Sequence, residues 1–203
     1  MSSLHYEKEI EVKASYDVIV AGAGPAGICA AVAAARNGAK VALIERYGVI
    51  GGNLTAGYVG PVLGMVGKGT MRDELVKLLG IPDNDMIGET GKAHDFEHAK
   101  LVLAEFVNHE NIDVYLQSSV YDVIKEGDTV RGLILATNEG HFALLSHVVI
   151  DSTGDAVVSF LAGADIEKGR EDGLMQPVTL EFTIDGVDEN KGVICIGDVD
   201  DVK

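Results

Sequence analysis

The chain of 203 residues contains no tryptophan, four prolines and two cysteines. Cys29 and Cys195 stand far apart and form no CxxC pair, so neither a disulfide framework nor a structural zinc site is encoded. Positive charge is also scarce, with 16 Lys and Arg against 32 Asp and Glu and a net charge of −16. Such a surface repels phosphate backbones and anionic bilayers, which argues against nucleic acid or a charged membrane face as partner. The first residues, MSSLHYEKEIEVKAS, alternate charge without an apolar centre and do not read as a secretory signal. Long apolar runs are rare too. The uncharged stretch Val18 to Ala35, long enough to mimic a membrane span, carries Gly22, Gly24, Pro25 and Gly27 and reads as strand, turn and helix. A cytoplasmic protein without a membrane span is expected.

Glycine, by contrast, is abundant. It fills 25 of 203 positions, about 12% where ~7% is usual, so backbone freedom is being used somewhere. With 47% hydrophobic and 24% charged residues the chain has the composition of a folded domain, not of a disordered one. Its length suits one domain, or one and part of a second, at roughly 100–200 residues per domain.

Tyr16–Ala21 (YDVIVA) is a short β-branched run of the kind buried on both faces of a sheet. A turn over Gly22–Gly27 follows, and Pro25 opens a small-residue helix that Asn37-Gly38 should end. Lys40–Glu45 (KVALIE) reads as a second buried strand. Two strands and one helix in that order make a right-handed βαβ unit, hence a parallel sheet. The glycine-rich stretch from Tyr47 to Gly69 reads as an extended loop. Thr70 and Asp73 have capping-box spacing before a short helix. Asp95 caps a longer one, in which Phe96, Ala99, Val102, Leu103, Phe106 and Val107 share a face. The runs Val114–Leu116, Val120–Ile124, Val130–Ala136 and His141–Leu145 then suggest a small antiparallel meander. Val148–Asp151 (VVID) is expected as a last buried strand, with Ser152-Thr153-Gly154-Asp155 at its carboxyl end. The fold class is therefore α/β, a Rossmann-like domain with a parallel sheet and a small meander. Residues 1–155 would form the nucleotide-binding domain, and 156–203 the start of a second, incomplete one.

The segment Gly22-Ala23-Gly24-Pro25-Ala26-Gly27 is GxGxxG between a strand and a helix. Gly22 permits the tight turn, Gly24 leaves room for a pyrophosphate, and Gly27 with Ala31 lets helix and strand approach. The helix start then offers unpaired N–H groups and a positive dipole end to phosphates, and Pro25 has no N–H to leave unpaired. Glu45 lies 23 positions after Gly22, where a carboxylate accepts from both ribose hydroxyls and would repel a 2′-phosphate. The choice between NAD and FAD turns on Gly51-Gly52: adjacent glycines past the ribose-binding strand let the backbone run flush against an extended ligand. An NAD-dependent dehydrogenase would enter a helix there instead. Thr153, Gly154 and Asp155 add a third group at the ligand-binding edge of the sheet.

The three motifs GAGPAG, ERYGVIGGNLT and VIDSTGDA, in this order and spacing, resemble the FAD-dependent oxidoreductase family. That family is akin to the flavoprotein subunits of fumarate reductase and succinate dehydrogenase, and more distantly to glutathione reductase. The similarity runs from about Tyr16 to Asp185. It implies that Gly22, Gly24 and Gly27, with Pro25 and Ala26 between them, meet the pyrophosphate, while Glu45 and Arg46 surround the adenosine ribose. Gly51, Gly52, Asn53 and Thr55 would lie along the pyrophosphate and the ribityl–flavin half, Val120 would hold the adenine through its backbone, and Thr153, Gly154 and Asp155 would close the nucleotide end. Relatives with covalent flavin carry a histidine near the double glycine; none occurs here between Ala14 and Gly80, so non-covalent FAD is expected. Relatives also continue through a substrate-capping domain to a late strand-Gly-Asp motif, which Val193–Asp198 matches superficially. The chain is therefore expected to be the amino-terminal part of a longer flavoprotein or a shortened relative.

No catalytic acid or base is legible. Gln176 and Thr179 are candidates for the flavin edge, although an ordinary strand reading serves equally. His94 and His98 lack the glutamate of HExxH and read as a solvated helix face, Cys29 as a small core residue, and Asp83-Asn84-Asp85 as a polar turn. The leading reading is an FAD-dependent oxidoreductase moving hydride or electrons between an unidentified small molecule and a second acceptor. The alternative is a non-catalytic FAD- or NAD-binding module without its substrate domain. An apolar surface left by such a domain could serve a second copy or a further C-terminal segment, and both stay open.

Overall fold

A computed structural model of the chain describes residues 4–60, 62, 69–81, 94–110, 112–181 and 185–186. The motifs at Asp83–Asp85 and Val193–Asp198, and Cys195, lie outside these residues. One six-stranded sheet runs in the order β3-β2-β1-β6-β5-β4. Its strands are β1 (Glu11–Ala21), β2 (Val41–Ile44), β3 (Asp113–Tyr115), β4 (Ser119–Glu126), β5 (Thr129–Thr137) and β6 (Gly140–Asp151). The first helix, α1 (Pro25–Arg36), crosses from β1 to β2; α2 (Met71–Leu78) and α3 (Phe96–His109) precede β3; α4 (Val157–Ala162) follows β6.

The four strands β3, β2, β1 and β6 are parallel neighbours, while β6, β5 and β4 pair antiparallel. The expected meander loses one member: Val114 pairs with Leu43 of β2, so Asp113–Tyr115 is the edge of the parallel part. A second correction concerns β6. His141–Leu145 and Val148–Asp151 are one continuous strand, whose first half pairs with both β5 and β1 and whose last residues pair with β1 alone. Ser146-His147 hides this continuity in the sequence, because a polar pair looks like a break, yet Ser146 is buried in the strand. VVID is also less buried than its composition suggests, since Val148 is 51% exposed and Val149 and Ile150 are intermediate. β1 is longer than expected for the same reason: Glu11, Lys13 and Ser15 interrupt the apolar pattern, but β6 supplies the partner that holds this segment extended.

Two apolar clusters flank the sheet. On one face Val20, Val41 and Leu43 pack against Ile28, Ala31 and Val32 of α1 and Leu103, Phe106 and Val107 of α3. On the other, Tyr16, Ile19, Ala42 and Ile44 pack with Leu133, Leu135 and Leu144, so the antiparallel strands cover the parallel ones. Val158 of α4 joins this second cluster and is 5% exposed. Asp95 caps α3 as expected, accepting from the N–H groups of Glu97 and His98 at 2.9 Å. The capping box at α2 differs: the Thr70 side chain makes no cap bond, and Asp73 instead accepts from Gly69 N–H at 2.7 Å.

Candidate functional site

The carboxyl ends of β1, β2 and β6 meet around a cleft of about 630 Å³. Ligands bind there in such sheets, where neighbouring connections leave in different directions. Gly22 ends β1 with φ +94°, a left-handed conformation that side chains avoid, and a Cβ there would stand 2.5 Å from the Ser152 carbonyl oxygen. β1 and β6 therefore approach closely only because position 22 is glycine. Ser152 fixes the approach: its N–H donates to Ala21 O at 2.8 Å, and its hydroxyl lies 2.8 Å from Ala21 O and 2.9 Å from Gly22 O.

Gly24 is the N-cap of α1 and faces open space, with no atom within 4 Å of an added Cβ. The first turn of α1 holds no acidic residue of its own. Pro25 and Ala26 also line the cleft. Gly27 does not. It lies beneath the loop, where a Cβ would fall 1.8 Å from Gly22 O and 2.7 Å from the Ser152 hydroxyl. Of its two expected roles, the structure places it in the packing one.

Glu45 is 5% exposed and belongs as much to the scaffold as to the cleft. Its Oε2 accepts from Ala23 N–H at 2.9 Å and its Oε1 from Tyr47 N–H at 2.8 Å. The carboxylate thus joins the end of β2 to the glycine turn. Each oxygen keeps a second acceptor site, since a carboxylate offers about four in all. Beside it Arg46, stacked on Tyr47 at 4.8 Å, reaches Asp155 at 3.8 Å across the cleft mouth, with both side chains more than half exposed.

The double glycine docks on the first motif: Gly51 N–H donates to Ala23 O at 2.7 Å. With φ +108° and a would-be Cβ only 2.5 Å from Thr55, Gly51 is held by shape. Gly52 and Asn53 line the cleft, whereas Gly51 and Thr55 stand behind them. Thr55 is fully buried and its hydroxyl donates to Ile50 O at 2.7 Å. Val120 lines the far end together with Ser118 and Ser119. At the end of β6, Thr153 and Gly154 line the cleft and Asp155 sits at its rim.

Several supporting residues left no local signal. Asp151 accepts from the N–H and hydroxyl of both Thr153 and Ser159, at 2.8–3.1 Å. Burial pushes its carboxyl upward, but the donors from Ser159 and Thr153 outweigh this and hold it below the usual carboxylate range. The Thr153 hydroxyl also accepts from Val157 N–H at 2.9 Å, shaping the turn in which Ala156 takes φ 53°. The link between β3 and β4 is pinned to the exit of β2, with Ser118 N–H on Glu45 O and Gln117 N–H on Tyr47 O. YLQSSV contains no glycine or proline, so nothing in it announced a turn.

His94 departs from expectation. It precedes α3, is 7% exposed, and points both ring nitrogens at backbone carbonyls, while His98 is exposed. Cys29 is half-buried against the α1-side core, and burial raises its thiol. Gln176 and Thr179 are exposed and do not line the cleft. Among the described residues no helix is long and apolar enough to cross a membrane.

Parallel strands, a glycine turn at a helix start and a phosphate-sized bare surface define a dinucleotide-binding protein of the Rossmann-like class. A profile of the family described as FAD dependent oxidoreductase matches residues 17–201, and the chain belongs to that family, whose cofactor is FAD. It is 33% identical over 152 residues to a soluble pyridine nucleotide transhydrogenase of Marinomonas sp., covering 68% of this chain and 30% of that protein. A transhydrogenase of the same name from Chromohalobacter salexigens is 30% identical over 88 residues, 43% of this chain and 18% of the relative. The chain thus spans less than a third of the length of these curated relatives. Among solved structures, THI4 of Thermovibrio ammonificans matches with a TM-score of 0.56 at 23% identity, over 72% of this chain and 61% of that one. A geranylgeranyl bacteriochlorophyll reductase-like protein of Thermoplasma acidophilum matches with 0.52 at 24% identity, over 76% and 43%. These two likenesses bear on the fold.

Proposed function

We propose that the cleft holds FAD non-covalently and that the chain works as the cofactor-binding part of an oxidoreductase moving hydride or electrons between a small molecule and a second acceptor. The observation that carries this reading is the convergence of three motifs on one cleft, with no Cβ contact at Gly24 to fill it. In this assignment the pyrophosphate lies over Gly22–Ala26, where the free N–H groups and dipole of α1 face it and Gly27 supports the turn from below. Glu45 accepts from the adenosine ribose through its remaining lone pairs, Arg46 and Asp155 flank the mouth, and the Val120 backbone meets the adenine. Gly52 and Asn53 face the ribityl half, backed by Gly51 and Thr55, while Thr153 and Gly154 close the other wall. Bound flavin supplies the redox chemistry, and the protein's part is to bind, orient and shield it.

The name of the curated relatives supplies the first donor to test, a pyridine nucleotide. Their description as soluble supports a cytoplasmic location. The exposed Phe160, Leu174, Met175, Val178 and Leu180 offer an apolar surface for a second copy or for further chain. The family match supports enzymatic flavin binding over a passive module.

The test is the visible spectrum of the purified protein, followed by anaerobic reduction with NADH or NADPH. A yellow protein that is bleached by donor is expected. A colourless preparation that takes up no added FAD would refute the assignment, and a yellow but inert one would favour the passive module. Acid precipitation should leave all flavin in the supernatant; flavin retained in the pellet would contradict non-covalent binding.

A further inference from the structure

One buried titratable side chain lies outside the cleft with two polar contacts that it cannot satisfy in its neutral form. The Nδ1 of His94 stands 3.0 Å from the carbonyl oxygen of Gly60, and its Nε2 stands 2.7 Å from that of Leu54. A carbonyl oxygen only accepts, so each contact is a hydrogen bond only when the nitrogen facing it carries a proton. Neutral imidazole has one N–H and one bare lone pair. In this seat it would donate at one end and set its lone pair against a buried oxygen at the other. The doubly protonated ring satisfies both. Phe96 packs edge-on to the ring at 5.0 Å and itself meets Tyr58 at 5.0 Å, which holds the ring between the two carbonyls.

These carbonyls belong to the loop that forms one wall of the cleft. Leu54 closes the turn Gly52–Leu54, whose Gly52 and Asn53 line the cleft, and Gly60 lies at the far end of the same loop. Within itself the loop is tied by backbone bonds, such as Val59 N–H to Asn53 O at 2.9 Å. His94 adds a tie from both ends of the loop to the start of α3.

We infer that His94 is a positioning residue for the cofactor: as a cation with two N–H donors it holds the Gly52–Asn53 turn in place, so FAD affinity follows the protonation of this ring. The inference rests on the reading that Gly52 and Asn53 flank FAD. Among the described residues, the charged and titratable groups near the ring are Asp95, which also faces His98, and Tyr58 on the far side of Phe96. Asp95 is held below its usual carboxylate range by its bonds from His98 and Glu97, so it is an anion throughout the range in which imidazole titrates. His98 is exposed.

The experiment is a fluorescence titration of FAD into the flavin-free 203-residue chain at about pH 6 and about pH 8.5, a span that brackets imidazole titration. Loss of one bond to the loop should weaken binding about fivefold at the higher pH. His94→Gln, which does not titrate, should bind equally at both pH values. The ring nitrogens of wild-type holoprotein, observed by 15N NMR at the lower pH, should both be protonated, and this measurement decides the matter even if the variant does not fold. Wild-type affinity independent of pH, the same pH dependence in His94→Gln, or a bare ring nitrogen at the lower pH would each overturn the inference. Absence of FAD binding at either pH is a different outcome, because it removes the cofactor assignment itself and this inference with it.

Discussion

Glu45→Gln separates the two jobs that the structure gives this carboxylate. If Glu45 served ribose alone, the flavin-free protein would not notice the change. The geometry predicts otherwise. Both carboxylate oxygens accept backbone N–H groups, Ala23 at 2.9 Å and Tyr47 at 2.8 Å, and the residue is 5% exposed. Glutamine brings one oxygen and one NH2, so whichever way its amide turns, one backbone N–H faces another donor. One bond to a charged acceptor is lost and one N–H is stranded, a cost of about 1.5–3 kcal/mol. With a urea slope of roughly 2 kcal/mol per molar, the unfolding midpoint of the flavin-free protein should fall by about 1 M. Urea unfolding followed by far-ultraviolet circular dichroism measures this directly. FAD affinity, measured separately on the folded variant, should fall as well, because the glycine turn is no longer held. A flavin-free midpoint unchanged within error would refute the structural role and return Glu45 to the ribose alone.

Two glycines of one motif should respond differently to alanine. Gly27→Ala puts a Cβ 1.8 Å from Gly22 O and should destabilise the flavin-free protein by about 3 kcal/mol or more, seen as a lower melting temperature. Gly24→Ala meets no atom within 4 Å, so it should cost no more than about 1 kcal/mol as a poorer N-cap, yet weaken FAD at least tenfold by a steric block. Equal melting losses in the two variants would contradict this division. For Asp151 the sign follows from its depressed carboxyl. A carboxyl lowered on folding stabilises the native state fully above the unfolded value of about 3.9, and this is lost as pH falls through the folded value. Asp151→Asn should therefore be less stable than wild type at neutral pH, with the gap closing below about pH 4. A gap constant down to pH 2.5 or so would refute the assignment.

Legibility in the sequence followed the range of the interaction. The βαβ unit could be read because each part carries its own cause: a β-branched run, a glycine turn, an alanine-rich helix and an Asn-Gly stop. The Asp95 cap was legible for the same reason, being a bond across three residues. β6 was misread because its polar centre is tolerated only by the partners on either side. β3 was misplaced because three residues give no sign of whether they pair with β2 or β4. His94 was misread because its partners, Leu54 and Gly60, are 40 and 34 positions away.

The sequence by itself determined a Rossmann-like parallel sheet with a glycine turn at its carboxyl end, since glycine spacing and strand pattern are local requirements of that turn. Only the tertiary structure divided the motif residues into those that face the cleft and those that support it. Gly24 and Gly27 are the same residue type three positions apart, yet one faces open space and the other lies against Gly22 and Ser152. Glu45 likewise became a strut only when β2 brought its carboxylate to Ala23. The physical reason is common to both: a side chain's role depends on which distant atoms occupy the space around it, and those atoms arrive only when the strands pair.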